Sequence, residues 1–428
     1  MFIFPTVDQS QSTPIETAPD RKCDGQCKGQ CKCALPSVDM ADLRRYRFDI
    51  PLTRVTRISD EAIRVTWKDG EEDDFHFAWL RDNDPHPTSR HRHSRERLVR
   101  LLDVSCDIRP AEVSIQDDGA LLIRWSQTDC DHQSAFDAGW LRAHRYGHVI
   151  RNGSRSAARM PSRPRPIEVD WNAVMNDDDA LFSWLEGYLT RGWSIISGVP
   201  DEKGPAVAFG QRIGTVRSSN FGFCFDVRSK AAPISNAYTA HYLPLHTDLP
   251  HYELPPGLQI LHCLANEAEG GASLMADGLA VAHLLRRTEP DVFARLSGTP
   301  VAFRFQDAES EFNARHPIIE CDGAGNPVHV NWSNSTLAPL DAPFEDMPAL
   351  RAAIQRFVAL IESPRFLIER KLEAGEMLVF DNRRMLHGRT AFKPETGARH
   401  FQGCYLDTAE VLSRRNALAR RDPFLRFV

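Results

Sequence analysis

The apolar pattern of this chain is what most limits its fold: short strand-like runs recur at irregular intervals, separated by turn residues, with few long helical periodicities. Ala62–Trp67 alternates and stops at Lys68-Asp69-Gly70; runs at residues 75–80, 112–115 and 121–125 follow, the last two joined by Asp117-Asp118-Gly119. These predict a small β-rich domain over residues 41–147, with helical spacing at residues 134–144 that puts Phe136, Trp140 and Leu141 on one face. Basic, Gly-, Ser- and Pro-containing residues 148–168 predict a linker. Beyond it, residues 169–428 carry strand signals at 193–200, 258–264, 301–305, 328–332, 377–380 and 399–406. Helical signals stand at 180–191 and 347–362. Such a pattern reads as a mainly β chain with flanking helices, its larger domain an antiparallel barrel or jelly roll.

At 428 residues the chain exceeds what one core needs, in keeping with two domains. Hydrophobic residues at 42% and charged residues at 26% exclude a wholly disordered or collagen-like chain. No apolar run is long enough to span a bilayer, and the opening residues lack the pattern of a secretion signal, so a cytoplasmic protein without a membrane partner is expected. A net charge of −6 gives the whole molecule no electrostatic reason to seek nucleic acid. The His- and Arg-rich residues 86–100 lack aromatic platforms and read as a solvated loop.

The strongest chemical signal is Leu245-His246-Thr247-Asp248, followed far downstream by His387 in Met385-Leu386-His387-Gly388. On a strand, residues two apart face one side, so His246 and Asp248 can address one metal. A second imidazole, from His387, completes two histidines and one carboxylate on one face of an octahedron, which leaves positions open for Fe(II) and O2 chemistry. Alone, His-x-Asp is a weak motif in a chain with 16 histidines. Arg399 strengthens it, because on the next strand its guanidinium can grip a carboxylate beside the metal, and the Ser273 hydroxyl can donate to the same group.

In order and spacing, His246, Asp248, Ser273, His387 and Arg399 resemble the Fe(II)/2-oxoglutarate dioxygenases of the taurine dioxygenase superfamily. The blocks Asn236-Ala237-Tyr238, residues 245–250, 256–263 and 380–388, and Phe77-Ala78-Trp79-Leu80-Arg81-Asp82-Asn83 are similar to its gamma-butyrobetaine dioxygenase branch. The resemblance implies a double-stranded β-helix (jelly-roll) catalytic domain with a small N-terminal β-rich domain. It also implies iron on His246, Asp248 and His387, 2-oxoglutarate bound to the iron and clamped by Arg399, with Ser273 assisting, and O2 as co-substrate. Related halogenases lack the carboxylate, so Asp248 implies hydroxylation. The implied substrate is a small quaternary-ammonium molecule, gamma-butyrobetaine giving L-carnitine, with 2-(trimethylammonio)ethylphosphonate or another small betaine as the alternative. A metal- and ligand-binding sensor without turnover is the reading from a different class, and a homodimer is the expected assembly.

Phe221, Phe225, Tyr238 and Tyr405 match the positions where this branch cages the trimethylammonium group, which cannot donate a hydrogen bond and is recognised by aromatic faces. At the anionic end the chain departs from the family: Ser333 stands on the carboxylate-binding position, with Asn334 as a substitute. It departs again in the first domain, where the family binds structural zinc through three cysteines and a later histidine. Here Asp84, His86 and Ser89 occupy the cysteine positions and His132 the histidine, a poor zinc cage, so zinc is expected to be lost or weakly held. Of the 10 cysteines, Cys23, Cys27, Cys31 and Cys33 cluster in a polar tail over residues 1–40, whose readings are a remote ligand source, an independent metal- or redox-sensitive segment, or a solvated tail. The scattered remainder reads as reduced thiols.

Overall fold

A computed structural model describes residues 50–126, 132–147, 161–228 and 236–421. The cysteine-containing tail and most of the expected linker lie outside the described residues. The chain divides into two compact units, Met1–Tyr146 and Gly147–Val428.

The first unit has two three-stranded antiparallel sheets, Leu52–Arg57, Ala62–Trp67 and Glu72–His76 in one, and Pro110–Ile115, Leu121–Trp125 and Gln133–Phe136 in the other. Gly70 takes φ 86° in the first hairpin turn, a conformation that favours glycine. Trp67, Phe75, Phe77, Phe136 and Leu141 are buried together, and the Trp67 indole donates to the Ala138 carbonyl at 2.9 Å. Two expectations are corrected here. Residues 75–80 do not form one strand: pairing ends at His76, opposite Ala62, and Phe77–Asp82 is a helix burying Phe77 and Leu80. Likewise residues 134–144 split into the strand Gln133–Phe136 and the helix Ala138–Ala143, because Asp137 accepts from the Trp140 N–H and caps the helix start.

In the second unit a seven-stranded sheet runs, along its main path, Phe225–Val227, Arg399–Leu406, Leu258–Asn266, Met377–Asp381, Trp193–Ser197, Ile167–Asp170, with Val216–Arg217 also pairing Arg399–Leu406. Only the Ile167–Asp170 pairing with Trp193–Ser197 is parallel in it. A four-stranded antiparallel sheet runs Leu243–His246, Met385–Arg389, Ser273–Asp277, Ile368–Arg370. The larger sheet is backed by helices Asp178–Arg191 and Pro205–Ile213, whose Leu181, Trp184, Leu185 and Phe209 pack on Ile260, Val379 and Cys404. The first of these helices starts on the Asp177 carboxylate, which accepts from the Asp179 N–H, and ends at Gly192 with φ 84°. The smaller sheet is backed by Gly278–Thr288, Pro290–Gly298 and Met347–Ile361. Two antiparallel sheets facing across a cavity, with helices outside, are the jelly-roll arrangement expected. More helix is present than periodicity alone suggested: Pro205–Ile213, Gly278–Thr288, Pro290–Gly298 and Thr408–Arg421 were all unread.

Candidate active site

Both sheets line one cavity, whose empty space, open solvent at the mouth included, is about 1060 Å³. His246 ends an edge strand of the smaller sheet directly opposite His387. The chain then leaves the strand, and Asn382 fixes where it goes: its Oδ1 accepts from the Asp248 N–H at 2.6 Å and its Nδ2 donates to the Asp248 carbonyl at 2.9 Å. His246, Asp248 and His387 thereby offer three ligand atoms within 4.8 Å of one another, the one group of three or more such side chains among the described residues. The Asp248 Oδ1 lies 3.2 Å from His246 Nε2 and 3.8 Å from His387 Nε2.

The electrostatics suit a divalent cation. His246 Nδ1 donates to the Pro244 carbonyl at 2.9 Å, which leaves the Nε2 lone pair for a metal. Burial drives His387 down to about 3, so its ring is neutral and able to ligate. Burial opposes the Asp248 charge, but the neighbouring histidines and the Tyr405 hydroxyl outweigh it and hold the carboxyl well below the usual range. The second oxygen of Asp248 is committed elsewhere: Tyr405 Oη and Gln259 Nε2 each donate to Oδ2 at 2.7 Å. These two residues pair across adjacent strands of the larger sheet.

Arg399 lies at the first position of its strand, its guanidinium carbon 4.3 Å from the centre of the Phe401 ring and 5.4 Å from that of Phe392. Its buried Nε has no hydrogen-bond partner among the described residues. Burial, then the charge of Arg389, lowers it to about 9, still a cation at neutral pH. A Cβ at Gly271 would sit 3.2 Å from the Arg399 Cδ, and Gly271 takes φ 69°, so close approach and backbone both favour glycine. Ser273 is buried, lines the same cavity and pairs with Arg389 across the strands. Arg389 itself also lines the cavity and donates to the Thr239 and His241 carbonyls, each at 2.8 Å; burial lowers it to about 10.

Phe221, Phe225, Tyr238 and Tyr405 are brought together. Phe225 lies 5.0 Å from Tyr405, and Phe221 lies 6.3 Å from Phe225 and 6.4 Å from Tyr238, between ring centres. Glycine at 403 permits this, since a Cβ there would come within 2.7 Å of the Phe225 ring. Phe305 extends the group at 5.8 Å from Phe221.

At the other expected substrate positions the structure divides the pair. Ser333 is buried and lines the cavity. Asn334, the next residue along, is exposed and outside the cavity lining, because the chain turns there, the Leu337 N–H closing on the Ser333 carbonyl at 3.0 Å. In the first unit, Asp84 is closed in by hydrogen bonds: Ser89 Oγ donates to its Oδ2 at 2.6 Å, His132 Nε2 lies 2.6 Å from the same oxygen, and Arg81 donates at 3.3 Å. His86 turns its Nδ1 to Thr88 Oγ1, 2.7 Å away, and reaches Asp84 only through its backbone N–H.

Residues 152–405 match the family model described as "Taurine catabolism dioxygenase TauD, TfdA family". The chain belongs to the TauD/TfdA dioxygenase family. Its residues 55–142 also match the model "Gamma-butyrobetaine hydroxylase-like, N-terminal". Among relatives of this TauD/TfdA dioxygenase, the gamma-butyrobetaine dioxygenase of Pseudomonas sp. (strain AK-1) is 43% identical over 387 residues, 89% of this chain and 100% of the relative. The gamma-butyrobetaine dioxygenase of Homo sapiens is 31% identical over 372 residues, covering 84% and 95%. A mitochondrial trimethyllysine dioxygenase of Gallus gallus is 26% identical over 354 residues, covering 80% and 83%. The chain is thus an Fe(II)/2-oxoglutarate-type dioxygenase.

Several site residues were not named from the sequence. Gln259 lies in the block 256–263 but has no visible role until its strand pairs with Tyr405. Arg389, two residues beyond His387 on one strand, was findable from the period-2 rule. Phe305 carries no local signal.

Proposed function

We propose that this dioxygenase hydroxylates a C–H of a small zwitterionic quaternary-ammonium substrate, gamma-butyrobetaine being the first choice and L-carnitine the product. One observation carries the reading: the aromatic group and the His246, Asp248, His387 cluster share a cavity, and Tyr405 belongs to both. Iron would be held by His246, Asp248 and His387; with 2-oxoglutarate and O2 it supplies the oxidising power for C–H hydroxylation, and the co-substrate leaves as succinate and CO2. The protein's part is to bind and orient. Arg399, a half-buried cation whose Nε has no partner among the described residues, clamps the far carboxylate of 2-oxoglutarate with help from Ser273. Phe221, Phe225, Tyr238 and Tyr405 face the trimethylammonium group and keep water from it. Relatives named gamma-butyrobetaine dioxygenase, matched along nearly their full length, favour that substrate.

The test is a panel of gamma-butyrobetaine, trimethyllysine, 2-(trimethylammonio)ethylphosphonate and a shorter betaine. Succinate and hydroxylated product are followed by mass spectrometry. Substrate-dependent succinate with gamma-butyrobetaine supports the reading; no stimulation by any member refutes it.

We also propose that the first unit holds together at Asp84 without zinc. The chemistry supports this: one carboxylate, already engaged by Ser89, His132 and Arg81, replaces the thiolates that zinc favours. Metal analysis of the purified protein that finds zinc at one equivalent, lost on His132→Ala, would refute it.

A further inference from the structure

Just beyond Asp248 the backbone makes an uncommon turn. Leu249, a buried residue, takes φ 57°, one of two non-glycine positions with positive φ among the described residues. A side chain at such an angle carries strain, and strain of this kind persists where surrounding contacts hold it. The contacts are present: Asn382 grips both backbone polar groups of Asp248, and the Tyr252 N–H closes the turn on the Leu249 carbonyl at 3.0 Å. Tyr252 is pinned in turn, its hydroxyl 3.1 Å from Asn220 Oδ1 and its carbonyl 2.8 Å from His316 Nε2.

The turn presents His251 to the cavity. This residue is only 4% exposed, yet neither ring nitrogen has a hydrogen-bond partner among the described residues. Buried polar groups are nearly always paired, and leaving one unpaired is costly. The ring stacks on Phe305 at 5.1 Å and 18°, so its face is spent on an aromatic and its nitrogen-bearing edge is free. Phe305 is the ring that extends the aromatic group from Phe221. Beside it stands Thr336, whose carbonyl accepts from the Arg304 N–H at 2.7 Å and whose buried hydroxyl also lacks a partner among the described residues. Ser333, buried at the start of the turn that carries Thr336 and also lining the cavity, adds a further hydroxyl.

An unpartnered imidazole on a strained turn and an unpartnered Thr336 hydroxyl, in a cavity whose Arg389 and Arg399 sit on the strands Met385–Arg389 and Arg399–Leu406, mark a place for a ligand's polar group. We propose that His251, with Thr336 and Ser333, binds the anionic end of the substrate and sets the preference for zwitterionic over simply cationic quaternary amines. The proposal rests on the reading of the cavity as a quaternary-ammonium site, and it takes the place that Asn334 was expected to fill.

The test compares gamma-butyrobetaine with butyltrimethylammonium, which has the same cation and chain without the carboxylate. In His251→Phe the stacking ring is kept and the nitrogens are lost; the ratio of kcat/KM for gamma-butyrobetaine over butyltrimethylammonium should fall about tenfold or more. His251→Gln, which restores a donor, should recover part of the ratio. A ratio within twofold of the parent's in His251→Phe overturns the proposal. A second arm does not depend on turnover. With Zn(II) in place of Fe(II), the His251 ring-proton resonances, assigned by their loss in His251→Phe, are followed during titration with gamma-butyrobetaine, butanoate and butyltrimethylammonium. Shifts with the two carboxylates and none with butyltrimethylammonium support the anion site even if no quaternary amine is hydroxylated. Resonances unmoved by either carboxylate, alongside normal turnover of gamma-butyrobetaine, refute it while leaving the enzyme reading intact.

Discussion

Tyr405→Phe removes one oxygen and isolates one job of a residue with two. The ring proposed to face the cation is kept, and the 2.7 Å hydrogen bond to Asp248 Oδ2 is lost. Burial and the nearby Asp248 charge hold the Tyr405 hydroxyl protonated, well above its ordinary range, so in the parent it is a neutral donor to a carboxylate. Such a bond contributes about 1.5–3 kcal/mol. Gln259 still donates to the same oxygen at 2.7 Å, so Asp248 is loosened rather than freed and the lower half of that range applies. The expected result is metal binding weakened by about tenfold, at the low end of what outer-shell partners contribute. The assay is a Co(II) titration followed by visible absorbance, with kinetics in parallel. KM for gamma-butyrobetaine should move far less in Tyr405→Phe than in Tyr405→Ala, since the π-face survives only in the former. Adding Gln259→Leu should weaken the metal further than the single changes sum to, because both act on one oxygen. If Tyr405→Phe binds Co(II) as the parent does, while Tyr405→Ala also leaves binding intact, the hydroxyl does not position Asp248.

Phe225→Ala should raise KM for the quaternary amine by about tenfold or more with Co(II) affinity unchanged, read by the same two assays. Arg399→Gln should raise KM for 2-oxoglutarate by about 10²-fold, since a half-buried cation is replaced by a neutral amide; an unchanged KM would remove Arg399 from the co-substrate site. Arg384→Ala should cost roughly 3 kcal/mol in urea unfolding, because it strands the buried Asp277 carboxylate that also caps helix Gly278–Thr288. Acid should weaken the first unit through Asp84: burial raises its pKa, but His132, Ser89 and Ser134 prevail and hold it below 3.8. A carboxyl depressed on folding contributes stability that is whole above its unfolded value and is lost as pH falls through the lower folded one. Melting should therefore fall in that acid range in the parent and much less in Asp84→Asn, with no response to a zinc chelator.

Although the strand ends at His246 and Asp248 is brought alongside by Asn382 rather than by strand periodicity, the iron cluster was legible because its ligand types and order are written locally. The same holds for Phe221 and Phe225, close in sequence, but not for what joins them to the metal. That Tyr405 reaches Asp248 depends on the register of Arg399–Leu406 against Leu258–Asn266, a tertiary fact that no spacing encodes. Residues 75–80 were misread because Phe75 and Phe77 alternate over too short a run to separate strand from helix. Asn334 points out of the cavity because residues 334–336 form a turn, which the run of small polar residues there does not orient in advance.

That shared carboxylate gives the fold a consequence beyond placement. Asp248 turns Oδ1 toward the histidines and Oδ2 toward Tyr405, and Tyr405 turns its ring toward the aromatic group. A cation settling on that ring draws on the face of the same residue whose hydroxyl fixes the metal ligand. Where that ring takes up the substrate's cation and Asp248 the metal, as proposed, substrate binding and metal geometry are coupled through one side chain, and linkage requires the coupling to run both ways. Loading the site with Co(II) should tighten binding of gamma-butyrobetaine, and gamma-butyrobetaine should tighten Co(II) by the same factor. In Tyr405→Phe, where the ring and the carboxylate are disconnected, both factors should fall toward one; a coupling that survives the loss of the hydroxyl must travel by another route.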